Sequence, residues 1–139
     1  MNSKLILGTA QFGLNYGINN NVGNISAEDC NSILSRALKS GVDTLDTAEV
    51  YGNAHQLIGK FHKRNDNSKF KIITKLPIVY KKNSIVNKVV DYLDILNVKN
   101  LEILMFHSFE SFCNNSNSID SILNLKSKGL IKNIGVSIY

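Results

Sequence analysis

Five short apolar runs alternate along this chain with stretches whose apolar residues recur at helical spacing. The runs cover residues 4–9, 43–47, 70–76, 101–106 and 133–138. Four helices are expected between them. The first starts at Ser26 and turns Ile33, Leu34, Ala37 and Leu38 to one side; the second covers 53–62, with Leu57, Ile58 and Phe61 inward. The third is capped by Ser84 and buries Ile85, Val86, Val89, Val90 and Leu93. The fourth is capped by Ser118, presents Ile119, Ile122, Leu123 and Leu125, and ends at Gly129. Strands joined through single helices must run parallel, because only a crossover returns the chain to the same end of a sheet. Strands this apolar fit a sheet covered on both faces. Two architectures satisfy the pattern: an open doubly wound sheet, or an arc of a (β/α)8 TIM-type barrel. Five strands complete a small open fold but make little more than half of a barrel, whose usual length is about 250 residues.

Local signals agree with this order. Ser26 is a good N-cap, with Asp29 three residues on and acids in the first turn. Gly41 suits a helix C-cap. Pro77, the only proline, stops the third strand. Residues 11–24, rich in Gly and Asn, read as a loop, and 64–68 as a turn.

Composition excludes several classes. The chain has 139 residues, 43% apolar and 19% charged, in the range of one globular domain with one core. No apolar run reaches the ~18 residues of a membrane span. The opening residues lead into Leu5-Ile6-Leu7 with no long apolar region, so no signal peptide is expected. Cys30 and Cys113 are read as free thiols, and a cytoplasmic location is expected. The net charge of +5 concentrates in residues 60–88, which hold nine Lys/Arg and one acid, Asp66. No aromatic platform is interleaved there, so the cluster reads as a solvated surface and no nucleic-acid partner is expected.

Ligands of parallel α/β folds collect at the carboxyl ends of the strands. Those ends carry Gly8-Thr9-Ala10-Gln11, then Asp46 with Tyr51 on its loop, Thr74-Lys75, His107-Ser108 and Ser137-Ile138-Tyr139. A phenol titrates near ~10 unaided and donates a proton poorly at neutral pH unless a cation stands beside it. Lys75 is the candidate cation, Asp46 the acid that holds it, and His107 a group to orient a substrate oxygen. Together they amount to a general acid for a carbonyl reduced by hydride. Gln11, Phe12 and Tyr16 are placed on the substrate side. His55 and His62 read as surface residues of the second helix, and no metal site is expected.

Five segments carry a specific resemblance. They are Leu7-Gly8-Thr9-Ala10, the run Gly41-Val42-Asp43-Thr44-Leu45-Asp46-Thr47-Ala48-Glu49-Val50-Tyr51-Gly52, Ile73-Thr74-Lys75, Phe106-His107, and Ile134-Gly135-Val136-Ser137. In order and spacing they resemble the aldo-keto reductase family, with Asp-Thr-Ala-x-x-Tyr-Gly the most distinctive part. The resemblance implies a (β/α)8 barrel of which residues 1–139 form the N-terminal part, strands one to five of a single NADP-dependent oxidoreductase domain, with no second domain. It implies NADP(H) bound without a Gly-x-Gly-x-x-Gly fingerprint, and none occurs here. It places Tyr51 as proton donor, Lys75 as its cation, Asp46 as the acid paired with that lysine, and His107 as the group that orients the carbonyl. Thr9, Ala10 and Asp46 fall at cofactor-binding positions, and Ser137 at a position that holds the carboxamide.

Two functions follow as expectations. One is an NADP(H)-dependent oxidoreductase interconverting a small-molecule carbonyl and an alcohol, weakly active or inactive as this chain alone. The alternative is a catalytically silent half-barrel that binds or regulates. The chain is expected to be either a truncated piece or partial reading frame, or a half-barrel that a second copy or a partner chain completes.

Overall fold

The sheet decides between the two architectures. In the computed structural model, which describes residues 4–18, 20–21, 23–77 and 84–138, five strands pair in parallel in the order β1-β2-β3-β4-β5. They are β1 (Leu7–Gly8), β2 (Thr44–Asp46), β3 (Lys71–Leu76), β4 (Leu101–Phe106) and β5 (Ile131–Val136). A doubly wound sheet reverses its strand order at a switch point, whereas a barrel adds each strand beside the last. Spatial order equals chain order here, so the chain is an arc of a parallel α/β barrel.

The helices are α1 (Ala10–Gly13), α2 (Ala27–Lys39), α3 (Ala54–Arg64), α4 (Ser84–Leu96), α5 (Phe109–Asn114) and α6 (Ile119–Ser127). They cover one face of the sheet. Leu45, Ile72, Leu76, Leu104 and Phe106 from the strands bury with Leu34, Ile58, Val89, Leu96 and Ile122 from the helices. The opposite face carries Asp46, Ile73, Lys75, Met105 and Gly135, in successive registers of the ladder. Strand alternation therefore splits the sheet into a helix-packed side and a barrel-interior side. Of the two architectures that satisfy a sheet covered on both faces, this is the barrel, in which helices cover the outer face and side chains fill the inner one.

Three helices return to the sheet through the same device. At the end of α2, Gly41 donates to Leu38 O and Val42 to Ala37 O, each at 3.0 Å. After α6, Gly129 donates to Lys126 O and Leu130 to Leu125 O. After α4, Asn97 donates to Asp94 O and Val98 to Leu93 O. These are Schellman pairs, which require a left-handed residue at the turn. Gly41, Asn97 and Gly129 have φ of 80, 54 and 75°. At α2's start Ser26 Oγ accepts from Asp29 N at 3.0 Å, as expected. The cap expected of Ser84 rests on a side chain outside the described residues, as does Tyr139.

Other expectations shift. The first strand shrinks to two residues, and Leu5 and Ile6 remain exposed, because β1 lies at the sheet edge against a three-residue β2. The loop after it opens with α1, which carries no side-chain cap to announce it. Ser118 does not cap α6: the chain arrives from a 3-10 turn at Ser116–Ser118, not in the extended form a cap needs. The helix missed before it, α5, is capped by Ser108, which accepts from Ser111 N. β5 begins two residues early, at Ile131. Val86, Val90 and Leu123, read as inward, lie on outer flanks of α4 and α6 and stay exposed.

The largest correction concerns two histidines. His55 and His62 are 5% and 0% exposed, not surface residues. His62 Nδ1 lies 2.7 Å from Leu96 O, and Phe70 N donates to His62 Nε2 at 3.1 Å. A carbonyl only accepts and an amide only donates, so the ring is neutral with its proton on Nδ1. It ties α3, the end of α4 and the start of β3 together. His55 Nε2 meets Thr74 Oγ1 at 2.9 Å. Burial lowers both rings' pKa; a hydrogen bond to Leu96 O opposes it at His62, and Glu49's charge at His55, which still falls to about 4.

Both folded-state values lie below the unfolded histidine value, so protonation favours the unfolded chain. Stability is complete above about pH 6.5 and falls as pH drops through that value, down to the folded pKa values. Urea midpoints should therefore fall between about pH 6.5 and 5, above the carboxylate range, and a His55→Gln/His62→Gln double variant should flatten that slope. Gly41→Ala should cost about 1 kcal/mol by the same measurement, since φ alone, with open space around the added carbon, opposes it.

Candidate active site

Register builds the centre of the site. Asp46 pairs with Ile73, and Lys75, two residues further along β3, points to the same inner face. Lys75 is 6% exposed. A buried ammonium is costly unless paired and hydrogen-bonded. Lys75 Nζ donates to Asp46 Oδ1 and, at 3.2 Å, to Thr47 O. Two of its three N–H donors are thus used among the described residues, and one is left.

The neighbours of that ammonium are aromatic. Lys75 Nζ lies 5.4 Å from the centre of the Tyr51 ring, within cation–π range. The His107 ring meets Tyr51 edge-on, with centroids 6.3 Å apart and planes at 82°. His107 directly follows β4 and its backbone amide donates to Leu76 O, which continues the ladder. Its Nδ1 is buried without a hydrogen-bond partner among the described residues. Burial and, next, the charge of Lys75 hold His107 below the usual histidine pKa, with Asp46 acting the other way. The ring is therefore neutral near pH 7 and keeps one donor and one acceptor nitrogen.

Tyr51 is placed by a turn. Tyr51 N donates to Ala48 O at 3.1 Å, and Ala54 N to Tyr51 O at 3.1 Å. Gly13, at the end of α1, meets this turn backbone to backbone: a Cβ there would stand 2.0 Å from Tyr51 O. A Cβ on Gly52 would stand 2.3 Å from Gly13 O, and Gly52 has φ of 57°. Glycine on both sides permits the approach.

The resulting cleft has a volume of about 330 Å³ and is lined by Gly8, Thr9, Ala10, Gln11, Tyr16, Gly17, Asp46 and Tyr51. Thr9 is fully buried, and both its amide and its hydroxyl donate to Asp46 O. Gln11 and Tyr16 reach the cleft as expected, but Phe12 does not: it is 4% exposed and belongs to the core. Ser137 lies outside the cleft lining, beside His107, with its amide on Phe106 O. A larger hollow of about 440 Å³, between residues 20–25 and α2, shares only Gln11 with the cleft. Among the described residues no cluster of His, Cys, Asp and Glu could hold a metal, and no helix is long and apolar enough to cross a membrane.

Sequence reasoning missed the residues behind Tyr51. Glu49, His55, Lys88 and Tyr92 form a polar set that fastens its loop to α4. Their spacing held a signal, since Lys88 and Tyr92 stand four apart on one helical face. Their partner lies 39 residues away in sequence.

Comparison with known proteins places this arrangement. No curated protein matches the sequence. PA4992 of Pseudomonas aeruginosa, provisionally classed as an aldo-keto reductase, superposes with a TM-score of 0.81 at 24% identity, over 97% of this chain and 55% of its own. The aldo-keto reductase AKR11C1 from Bacillus halodurans, in its holo form, superposes with a TM-score of 0.76 at 22% identity, over 98% of this chain and 46% of its own. The chain spans about half the length of these structures, and at such identities they show the fold. The Aldo/keto reductase family pattern matches residues 4–139, nearly the whole sequence, and the chain belongs to that family.

Proposed function

We propose that this chain carries the proton-donor half of an NADP(H)-dependent oxidoreductase that interconverts a small-molecule carbonyl and its alcohol. The observation that carries the proposal is the buried Lys75 ammonium, anchored by Asp46 and set against the Tyr51 ring, with a His107 nitrogen nearby that has no partner among the described residues. In this assignment Tyr51 Oη gives its proton to the carbonyl oxygen as that oxygen gains charge. Lys75, with one N–H left to donate, stabilises the phenolate that remains. Asp46 keeps the ammonium charged and aimed. Neutral His107 offers an N–H to hold the carbonyl oxygen in line with Tyr51.

The cleft fits the ring end of a nicotinamide cofactor. A volume of about 330 Å³ accepts such a ring, and the space before Gly8 is open, since an added Cβ there meets nothing within 4 Å. Thr9, Ala10 and Asp46 would hold that end, whereas Ser137, outside this lining, is not assigned to the carboxamide. When bound, the cofactor supplies a hydride to the carbonyl carbon. The same proposal has the protein act in the cytoplasm as one barrel domain. A further strand, from this polypeptide, a second copy or a partner chain, pairs with the outer edge of β5.

The test is NADPH oxidation by the full-length protein with small aldehydes, with NADH as comparison. Tyr51→Phe should lower the rate by about 100-fold or more while NADPH binding, read by fluorescence, persists. Equal rates for parent and variant would remove Tyr51 from the chemistry. NADPH binding without turnover in the parent would instead favour a silent binding module, and no binding would sink both.

A further inference from the structure

Tyr51 sits on no strand or helix, so its position depends on what holds the loop of residues 47–53. On the cleft side that hold is the backbone contact with Gly13 described above. On the opposite side the backbone gives little: Glu49 N reaches Lys75 O only at 3.5 Å, the outer limit of a hydrogen bond. The stronger tie is the Glu49 side chain. Lys88 Nζ donates to both of its carboxylate oxygens, at 2.6 and 2.8 Å, and the Tyr92 hydroxyl donates to Oε2. Charge-assisted, bidentate contacts of this kind are the strong ones, and they fix direction as well as distance. Glu49 lies inside the turn that Tyr51 closes on Ala48, so its hold is passed to Tyr51 through two peptide units.

The same set reaches the lysine strand. The Tyr92 ring meets His55 edge-on at 5.2 Å, and His55 Nε2 meets the Thr74 hydroxyl at 2.9 Å, one residue before Lys75. The segments that carry Tyr51 and Lys75 are therefore both referred to one face of α4. Burial works to raise the Glu49 pKa, but the bonds from Lys88 and Tyr92 and the charge of Lys88 outweigh it, and the carboxyl stays below its usual value. Glu49 is thus ionised at neutral pH. These four side chains line a hollow of about 230 Å³ separate from the cleft, so none of them touches a substrate there.

We infer that Glu49, gripped by Lys88 and Tyr92, is a positioning residue that sets the Tyr51 phenol against the Lys75 ammonium. The inference rests on the proton-donor assignment of Tyr51. Magnitudes favour geometry over stability as its role. The Glu49 and Lys88 side chains are 35% and 29% exposed, and ion pairs that open to water contribute little to folding. A misplacement of about 1 Å, by contrast, costs catalysis up to about 100-fold.

The variants Glu49→Gln, Lys88→Met and Lys88→Arg test it in the full-length protein. Glu49→Gln and Lys88→Met should lower kcat by about 10- to 100-fold, with the NADPH KM within about twofold of the parent. Both should also speed amide hydrogen exchange across residues 48–53 and move the Tyr51 ring resonance in protein labelled with ζ-13C tyrosine. Lys88→Arg, which restores the pair, should return all of these towards the parent. An unchanged Tyr51 resonance and unchanged exchange, with only the unfolding midpoint lowered, would make the cluster a stabilising feature and overturn the inference. So would an unchanged kcat in a variant whose loop exchanges faster. Where the parent itself turns nothing over, the reductase assignment fails, while exchange and resonance still show whether the clamp sets Tyr51.

Discussion

An ammonium inside a barrel wall is the constraint on which the rest of this structure depends. Lys75 cannot be buried without compensation, and the compensation comes from the neighbouring strand: the Asp46 carboxylate and the Thr47 carbonyl. That requirement ties β2 to β3 in one register, because a slip by one residue would turn Lys75 into the helix layer and leave Asp46 alone inside. The site and the sheet are therefore specified together.

The helices serve this arrangement by returning each strand at the right level. Schellman turns after α2, α4 and α6 let the chain reverse within a few residues and enter β2, β4 and β5. The apolar stripes that follow are buried against the outer face of the sheet, which leaves the inner face free for polar side chains. Buried histidines fill the layer between. His62 satisfies a carbonyl from α4 and an amide before β3 that would otherwise be orphaned, so a polar ring serves as a core residue. The cleft lies at the carboxyl ends of β1 and β2, against the start of α1. Behind Tyr51, Gly13 and Gly52 bring two backbones too close for a side chain.

Much of this was legible in the residues. The alternation of strands and helices, the Ser26 cap, the left-handed ends at Gly41 and Gly129, and the gathering of Asp46, Tyr51 and Lys75 at one rim follow from period, capping chemistry and strand-end logic. The errors have physical causes. Asn97 ends α4 with no glycine to mark it, and asparagine enters the left-handed region less often than glycine. Ser108 reads as part of a strand end, yet its hydroxyl starts a short helix. His55 and His62 look like surface residues because histidine is a polar residue that is buried only where partners satisfy its ring nitrogens. Their partners, Thr74, Leu96 and Phe70, lie 8 to 34 residues away.

Composition and period alone determined that this chain makes parallel strands joined by helices, with ionisable groups at their carboxyl ends. These are local properties, and backbone sterics and amphipathic spacing express them wherever the chain lies. Only the tertiary structure decided that the strands run in unbroken order as a barrel arc. It also decided that Ser137 stands beside His107 and outside the cleft, and that Glu49 reaches across to α4. Those outcomes depend on pairing between segments dozens of residues apart, and residue identity along the chain carries no distance of that kind.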